Sequence, residues 1–185
     1  MYKIVTIEDK IRVGPEKLTL PKKAAVMESI ADKYESVLEP KIGVVLAVVG
    51  VDKVGEGKIF AGDAGVHYMT TFKILAYKPE LQETVYGEVI DNTEFGAFVR
   101  MGPMDGLVHI SQLMDDYVSY DNKSSMFLGK ESKRTLKKGD KVRARIISIS
   151  FTDQQKIGLT MRQAGLGCVN WINEDRNKRA KESKK

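Results

Sequence analysis

The apolar and polar positions in the first part of the chain predict a strand followed by a helix. Tyr2–Ile7 alternates between the two classes, which is typical of a half-buried strand. Pro21 stands where proline tolerates the start of a helix, and Pro40 stands where a helix ends. Five apolar residues between the two prolines fall on one helical face: Val26, Ile30, Tyr34, Val37 and Leu38.

Two further strands are predicted before residue 80. The continuous apolar run Ile42–Val49 is typical of a strand buried on both faces, and His67–Tyr77 predicts another strand. Val54–Lys58 predicts a turn and Ala61–Gly65 a loop. The resulting order of strand, helix, strand and strand predicts an α+β domain with one helix on a small antiparallel sheet, ending near Lys78–Glu80.

The second part of the chain predicts an all-β domain. Five short strands of this size indicate a small closed barrel of the five-stranded OB-fold type. Residues 111–138 form a long connection, in which Ser111 is a candidate N-cap for a short helix. A final helix from Val169 to Lys181 is anchored by Trp171 and Ile172. The predicted strands lie near residues 85–91, 96–101, 105–110, 141–150 and 156–161.

These elements predict three segments: an N-terminal domain over residues 1–80, a barrel over 81–163, and a C-terminal helix with a basic tail over 164–185. Composition adds little, since 42% hydrophobic and 30% charged residues are usual for a globular protein. The net charge of +5 leans toward nucleic acid. However, residues 174–185 hold 6 basic and 3 acidic groups and so supply most of that excess.

The rare residue types limit the chemistry. Cys168 is the only cysteine, so no internal disulfide forms, which fits a reducing cytosol and predicts a cytoplasmic protein. One cysteine and two histidines argue against a zinc site. The charged start of the chain is unlike a signal peptide, and the longest apolar run is far shorter than a membrane span. We therefore expect no metal, no cofactor and no membrane association.

Catalytic motifs are not found in the sequence. Gly55–Lys58 resembles a phosphate-binding loop, but Asp52 replaces the first glycine of that motif and Ile59 replaces its serine or threonine. No G-x-S-x-G or H-E-x-x-H motif occurs, and the pair Asp115–Asp116 has no partner that would mark it as catalytic. The sequence therefore favours a binding protein over an enzyme.

The stretch from residue 95 to residue 111 predicts a surface for single-stranded nucleic acid. It contains two short strands joined by a turn of Gly, Pro and Asp, which brings Phe95, Phe98 and His109 together. Every base has a face that can stack on an aromatic ring. The alternative is structural, because Phe98 can belong to the core and a lone histidine usually has a structural role. Phe95 precedes a glycine at a strand start, which favours exposure.

A second candidate surface lies on the fourth strand of the predicted barrel. Lys141, Arg143 and Arg145 alternate with apolar residues, and period two places the three cations on one face. Cations in line can follow a phosphate backbone. The alternative for this strand taken alone is an ordinary solvated outer face.

The barrel half resembles the S1 RNA-binding motif over about 75 residues. The matching segments are Gly87–Val89, Phe95–Val99, Asp105–Ser111, Leu136–Val142 and Ile157–Thr160. In that family two aromatics, a histidine, an aspartate and an arginine bind RNA. Phe95, Phe98 and His109 match the first three. Thr152 stands at the aspartate position, with Asp153 one place later, and Lys156 stands at the arginine position.

The whole chain is similar to the E-prime family of archaeal RNA polymerase subunits. That resemblance implies a non-catalytic protein that docks on the polymerase core, pairs with the F subunit to form the stalk, binds the emerging single-stranded transcript and assists initiation and termination. The family's tip loops map to Gly55, Glu56, Gly57 and Lys58, which we expect to form a core-docking loop. The segments that match are Met1–Ile4, Val54–Lys58, Gln112–Asp121, Leu159–Gln163, Leu166–Gly167 and Trp171–Ile172.

The sequence leaves two other functions open. The first is a stand-alone RNA-binding accessory protein of a ribonuclease or exosome complex. The second is an enzyme with an RNA-binding appendage, which is the weaker of the two, because about 80 residues without a catalytic constellation leave little room for chemistry.

Overall fold

The computed structural model describes residues 1–151 and 156–182. The chain divides into two compact units, Met1–Lys78 and Pro79–Lys185. In the described residues, neither helix has both the length and the apolarity needed to cross a membrane.

The N-terminal unit is one helix on a four-stranded antiparallel sheet, which confirms the predicted α+β class. The strand order in the sheet is β1-β4-β3-β2. A short 3-10 turn at Pro15–Lys17 precedes the helix. The elements are β1 (Tyr2–Val13), α1 (Lys22–Tyr34), β2 (Leu38–Glu39), β3 (Gly43–Ile59) and β4 (Val66–Tyr77).

The core of this unit lies between α1 and one face of the sheet. The predicted helical face is confirmed for Val26 and Ile30, which are fully buried, and for Tyr34, which is half-buried. They pack against apolar side chains of β1, β3 and β4, among them Ile11 and Phe72. Burial of a side chain of this size stabilises the fold by about 1.5–3 kcal/mol, so this contact holds the helix on the sheet.

The predicted end of the helix at Pro40 is wrong. The helix ends at Tyr34, because Glu35 is extended and Ser36 has a φ of 64°. The Ser36 N–H donates to the carbonyl of Val45, and the Val45 N–H donates to the carbonyl of Val37. These bonds to β3 satisfy backbone groups that one more helical turn would otherwise use. Leu38 consequently belongs to the edge strand β2 rather than to the helical face.

The predicted turn at Val54–Lys58 is also wrong, because β3 runs unbroken for 17 residues. Its pairing with β4 contains four register shifts. Across each repeat of the pattern, three residues of β3 lie opposite two residues of β4. Each extra residue is a β-bulge. As a result, every third residue of β3 directs its side chain toward α1. Val49, an extra residue in one of these shifts, is exposed, so the strand is not buried on both faces as predicted.

The second unit contains the predicted closed barrel. Five strands form it: β5 (Thr84–Thr93), β6 (Gly96–Arg100), β7 (Asp105–His109), β11 (Lys141–Ser150) and β12 (Lys156–Thr160). The order is β12-β7-β6-β5-β11, and β11 pairs with β12 to close the ring. β12 runs parallel to β7, and the other pairs are antiparallel. The OB-type barrel is thus confirmed.

The long connection between β7 and β11 has structure of its own. It contains a three-stranded sheet of β8 (Val118–Asp121), β9 (Met126–Gly129) and β10 (Thr135–Leu136). Ser111 does not cap a helix as expected: it lies within a 3-10 turn, Ile110–Gln112, whose cap is His109.

The chain after the barrel stays with the second unit. A two-residue strand, β13 (Gly167–Cys168), pairs with β11 and leads into α2 (Val169–Glu182). Trp171 and Ile172 are buried, as the sequence predicts for the anchors of this helix.

Candidate RNA-binding surface

The aromatic group on the barrel is formed by two neighbouring strands and the residue before them. In the pairing of β6 with β7, Gly96 lies opposite His109 and Phe98 lies opposite Leu107. Ala97 fills the barrel interior, whereas Phe98 is half-buried and His109 is exposed. Phe95 is 52% exposed and contacts Phe98 edge to face, with ring centroids 6.0 Å apart. The structure therefore brings all three predicted residues to one surface.

The backbone around Phe95 is held firmly. The Ile110 N–H donates to the carbonyl of Phe95 at 2.9 Å, which joins the start of β6 to the end of β7. A Cβ on Gly96 would lie 2.3 Å from the carbonyl oxygen of Val108, so only glycine permits this close pairing. The exposed Phe95 ring consequently stands on a rigid support, which lowers the entropy cost of stacking a base on it.

His109 is oriented by the turn that follows it. Its Nδ1 accepts the N–H of Ser111 at 3.3 Å and lies 2.9 Å from the Ser111 hydroxyl. In the neutral ring the proton therefore resides on Nε2, which can donate to a ligand. The ring is fixed beside the two phenylalanines with a polar edge available.

The predicted alternation along β11 is confirmed by the burial pattern. Over residues 141–146 the apolar side chains of Val142, Ala144 and Ile146 point inward. The cations lie on the outer face, where Lys141 is exposed and Arg143 and Arg145 are half-buried. Lys156 begins β12, but its side chain and residues 152–155, including Thr152 and Asp153, lie outside the described residues. Because β5 lies between β6 and β11, one continuous sheet presents both the aromatic group and the cations.

The predicted docking residues of the N-terminal unit lie in a strand rather than in a loop. Gly55, Glu56, Gly57 and Lys58 form the last part of β3, and neither glycine has a positive φ. A Cβ on Gly55 would lie 2.9 Å from the Met69 carbonyl oxygen. These glycines therefore permit close approach of β3 and β4, not a turn.

The actual connection between β3 and β4 comprises residues 60–65. Asp63 fastens it: Arg12 donates to both carboxylate oxygens at 2.7–2.9 Å, the Gly65 N–H donates at 2.9 Å, and His67 Nε2 lies 2.8 Å away. The hydrogen bonds from Arg12 and Gly65 hold the pKa of Asp63 well below its usual range. Ile59, the last residue of β3, and Phe60, the first residue of the connection, are exposed, Ile59 at 75%.

The structure exposes three candidate binding residues that the sequence did not predict as part of a site. Ile59 and Phe60 follow a segment predicted to be a turn, so the sequence does not indicate their position at the end of a hairpin. Tyr86 is also absent from the predicted site, although it is highly exposed on β5. The alternation of Val85, Gly87 and Val89 in the predicted strand would have placed Tyr86 outside.

Comparison with known proteins gives the family. The model of the S1 RNA binding domain matches residues 78–162, and that of the SHS2 domain found in N terminus of Rpb7p/Rpc25p/MJ0397 matches residues 8–64. The DNA-directed RNA polymerase subunit Rpo7 of Saccharolobus shibatae is 38% identical over 177 residues, which cover 94% of this chain and 98% of the relative. The chain belongs to the Rpo7 family of archaeal RNA polymerase subunits.

Other relatives differ in how much of the chain they match. Rpo7 of Sulfolobus acidocaldarius is 37% identical over 183 residues, 98% of this chain and the whole relative. Ribonuclease R of Buchnera aphidicola is 36% identical over 84 residues, but these cover 44% of this chain and 11% of that enzyme. The Rpo7 likeness therefore spans both units. The resemblance to the archaeal polymerase subunit and to the S1 motif is confirmed.

Proposed function

We propose that this chain is a non-catalytic subunit of a DNA-dependent RNA polymerase, and that its barrel binds the emerging single-stranded transcript. The observation that supports this most strongly is the exposed group of Phe95, Phe98 and His109 on an S1 barrel, in a chain similar to Rpo7 along almost its entire length. The domain roles that follow are docking for residues 1–80 and RNA binding for 81–163, with 164–185 as a C-terminal helix and basic tail.

The proposed binding mode combines stacking with phosphate contacts. A base stacks on the open face of Phe95, and His109 Nε2 donates a hydrogen bond to the same nucleotide. Each stacked base contributes roughly 1–3 kcal/mol. Lys141, Arg143, Arg145 and Lys156 would contact phosphates, which makes the affinity dependent on salt but not on sequence.

Docking on the polymerase core is proposed for the end of the β3–β4 hairpin. This part of the N-terminal unit includes Gly55–Lys58, and it ends in the exposed apolar side chains of Ile59 and Phe60. The Asp63 interactions hold the adjacent loop in one conformation, so docking requires little ordering. An exposed apolar group on a rigid hairpin is suited to insertion into a pocket of a partner.

Pairing with the F subunit of the polymerase is proposed for the second unit. The connection that includes residues 112–127 is rich in methionine and tyrosine, and Tyr117 is 69% exposed. Together the two proteins would form the stalk that assists initiation and termination. Because the chain would act by binding, its effect on transcription should require the assembled polymerase.

The docking proposal is tested by capture of tagged chain with polymerase core lacking this subunit. Ile59→Ser should lower capture at least ten-fold, since the exposed apolar contact is lost. Val49→Ser alters another exposed residue of the same strand and should leave capture unchanged. Equal capture by all three proteins would exclude the hairpin end as the docking site.

The choice between a polymerase subunit and a ribonuclease accessory protein is tested by purification from the native organism. We expect polymerase subunits, the F subunit among them, in the set of copurifying proteins identified by mass. Copurification with ribonuclease or exosome proteins, and no polymerase, would contradict the proposed function.

A further inference from the structure

Tyr86 lies on the outer face of the barrel, away from the aromatic group described above. In the pairing of β5 with β11, it is directly opposite Arg143. The guanidinium carbon of Arg143 lies 5.7 Å from the centroid of the Tyr86 ring, within the range of a cation–π contact. Tyr86 is nevertheless 68% exposed as a residue, which leaves it open to a ligand.

Arg143 and Arg145 differ from other arginines in the structure. Four arginines each pair with an aspartate: Arg12 with Asp63, Arg100 with Asp105, Arg134 with Asp175, and Arg162 with Asp115. Among the described residues, no carboxylate forms an ion pair with Arg143 or Arg145, and their buried Nε atoms have no hydrogen-bond acceptor. Two half-buried cations two positions apart on one strand repel each other, and an anion bound between them would relieve that repulsion.

A row of charges separates these residues from Phe98. Register places Asp105, Arg100, Glu88 and Lys141 side by side across four strands, in alternating sign. Phe98 lies two residues to one side of this row on β6, and Tyr86 lies two residues to the other side on β5. At about 3.3 Å per residue the two aromatic positions are roughly 13 Å apart along the strands.

We propose that Tyr86, Arg143 and Arg145, here called the Tyr86 patch, form a second nucleotide-binding position for the same RNA strand. A base stacks on Tyr86, and the guanidinium groups of Arg143 and Arg145 contact the adjoining phosphates. At about 3.4 Å per stacked nucleotide, this position lies about four nucleotides from the Phe98 end of the aromatic group. The inference rests on the proposed RNA binding and extends it along the strand.

The chemistry of the patch favours RNA over an acidic protein segment. Guanidinium groups recognise both carboxylates and phosphates. The carboxylates of an acidic segment, however, provide no aromatic ring that could stack on the open face of Tyr86. A nucleotide can contact both the ring and the guanidinium groups, because it joins a planar base to a phosphate. Glu88 and Asp91 lie on β5 between the two positions and repel phosphates. The backbone would cross this strand at the charge row, where two acidic and two basic residues alternate and their charges cancel.

The test compares the affinities of uridine oligonucleotides of two lengths, about 12 and 3 nucleotides, measured by fluorescence anisotropy on the full chain. Tyr86→Ala should weaken binding of the longer oligonucleotide about ten-fold, the effect expected for one stacked base. It should change binding of the trimer less than about two-fold, because a trimer spans one position and fills the Phe95 position first. Tyr86→Phe keeps the ring and should bind like the unaltered protein.

The outcomes separate this inference from the proposed function. If Phe95→Ala weakens binding of the longer oligonucleotide and Tyr86→Ala does not, the second position does not exist, although the RNA-binding function stands. If the unaltered chain binds neither oligonucleotide, the proposed function itself fails. If Tyr86→Ala retains RNA but loses capture of polymerase subunits, the patch is a protein contact and the inference is overturned. Because Tyr86 is exposed, circular dichroism of the variant should match that of the unaltered protein.

Discussion

Phe95 and Phe98 meet edge to face, with an angle of 88° between their rings. Phe98 is half-buried and provides the support, while Phe95 projects from the strand start and exposes half of its surface. The pair therefore combines a fixed ring and an accessible ring, which suits stacking of an unpaired base.

Removal of the exposed ring tests this arrangement. Phe95→Ala should weaken binding of single-stranded RNA by about ten-fold, since 1.4 kcal/mol corresponds to a factor of ten and one stacked base contributes about that much. The measurement is a filter-binding titration. Tyr117→Ala removes another highly exposed aromatic residue of the same unit and serves as the control. Unchanged affinity of the Phe95 variant, with its circular dichroism intact, would move the binding surface elsewhere. Phe98→Ala is less informative, because it also removes packing.

The cations of β11 should act through phosphates. Replacing Lys141, Arg143 and Arg145 together with glutamine should lower the affinity for all RNA sequences and reduce the salt dependence by about 0.7 in slope per lost contact. Titrations at several salt concentrations measure this slope. The same replacement of Lys23, Lys41 and Lys53 in the N-terminal unit removes an equal charge and should leave the slope nearly unchanged. Equal slopes in the two variants would mean that net charge, and not this strand, governs binding.

The glycines of β3 should differ in their tolerance of a methyl group. A Cβ on Gly55 meets the Met69 carbonyl oxygen of the paired strand, whereas a Cβ on Gly50 meets no atom within 4 Å. Gly55→Ala should therefore lower the free energy of unfolding of the N-terminal unit by about 1–3 kcal/mol. Gly50→Ala should change it little or raise it slightly. Urea denaturation compares the two variants, and equal stability would show that β3 and β4 separate at Gly55 without cost.

Asp116 should make the second unit sensitive to acid. Its carboxylate accepts hydrogen bonds from the backbone and hydroxyl of Ser132 and from the Glu131 and Tyr117 N–H groups, and these lower its pKa from 3.8 to about 2. A lowered pKa means that the stabilisation is complete only at about pH 5 and above, and that it is lost as the pH falls through 3.8 toward about 2. Denaturation of Asp116→Asn across this range should show a weaker pH dependence than the unaltered protein. An identical profile would contradict the role of this carboxylate.

Pairing with the F subunit should govern solution behaviour. Expressed alone, the chain should be poorly soluble or self-associate, whereas co-expression with the F subunit should yield a 1:1 complex in size-exclusion chromatography. Tyr117→Ser should weaken that complex, because it removes an exposed aromatic side chain of the proposed contact. Tyr86→Ser, at similar exposure, is the matched control and should not. A well-behaved monomer that ignores the F subunit would contradict the pairing.

The sequence by itself determined the elements whose pattern follows a regular period. The strands of the barrel, the inward and outward sides of β11 and the buried face of α1 were predicted because period two and period 3.6 depend on local geometry alone. The aromatic group was predicted as well, since a short hairpin brings Phe95 and His109 together whatever the rest of the chain does.

Only the tertiary structure decided the features that depend on which strands meet. The side chains of β3 that face α1 recur every three residues because bulges are set by pairing with β4, so the sequence indicated a turn where a strand continues. Bonds to β3, and not local propensity, end α1 at Tyr34. Tyr86 and Arg143 are 57 positions apart and meet because β5 and β11 are neighbours in the barrel. Such contacts arise from strand order, which no local period encodes.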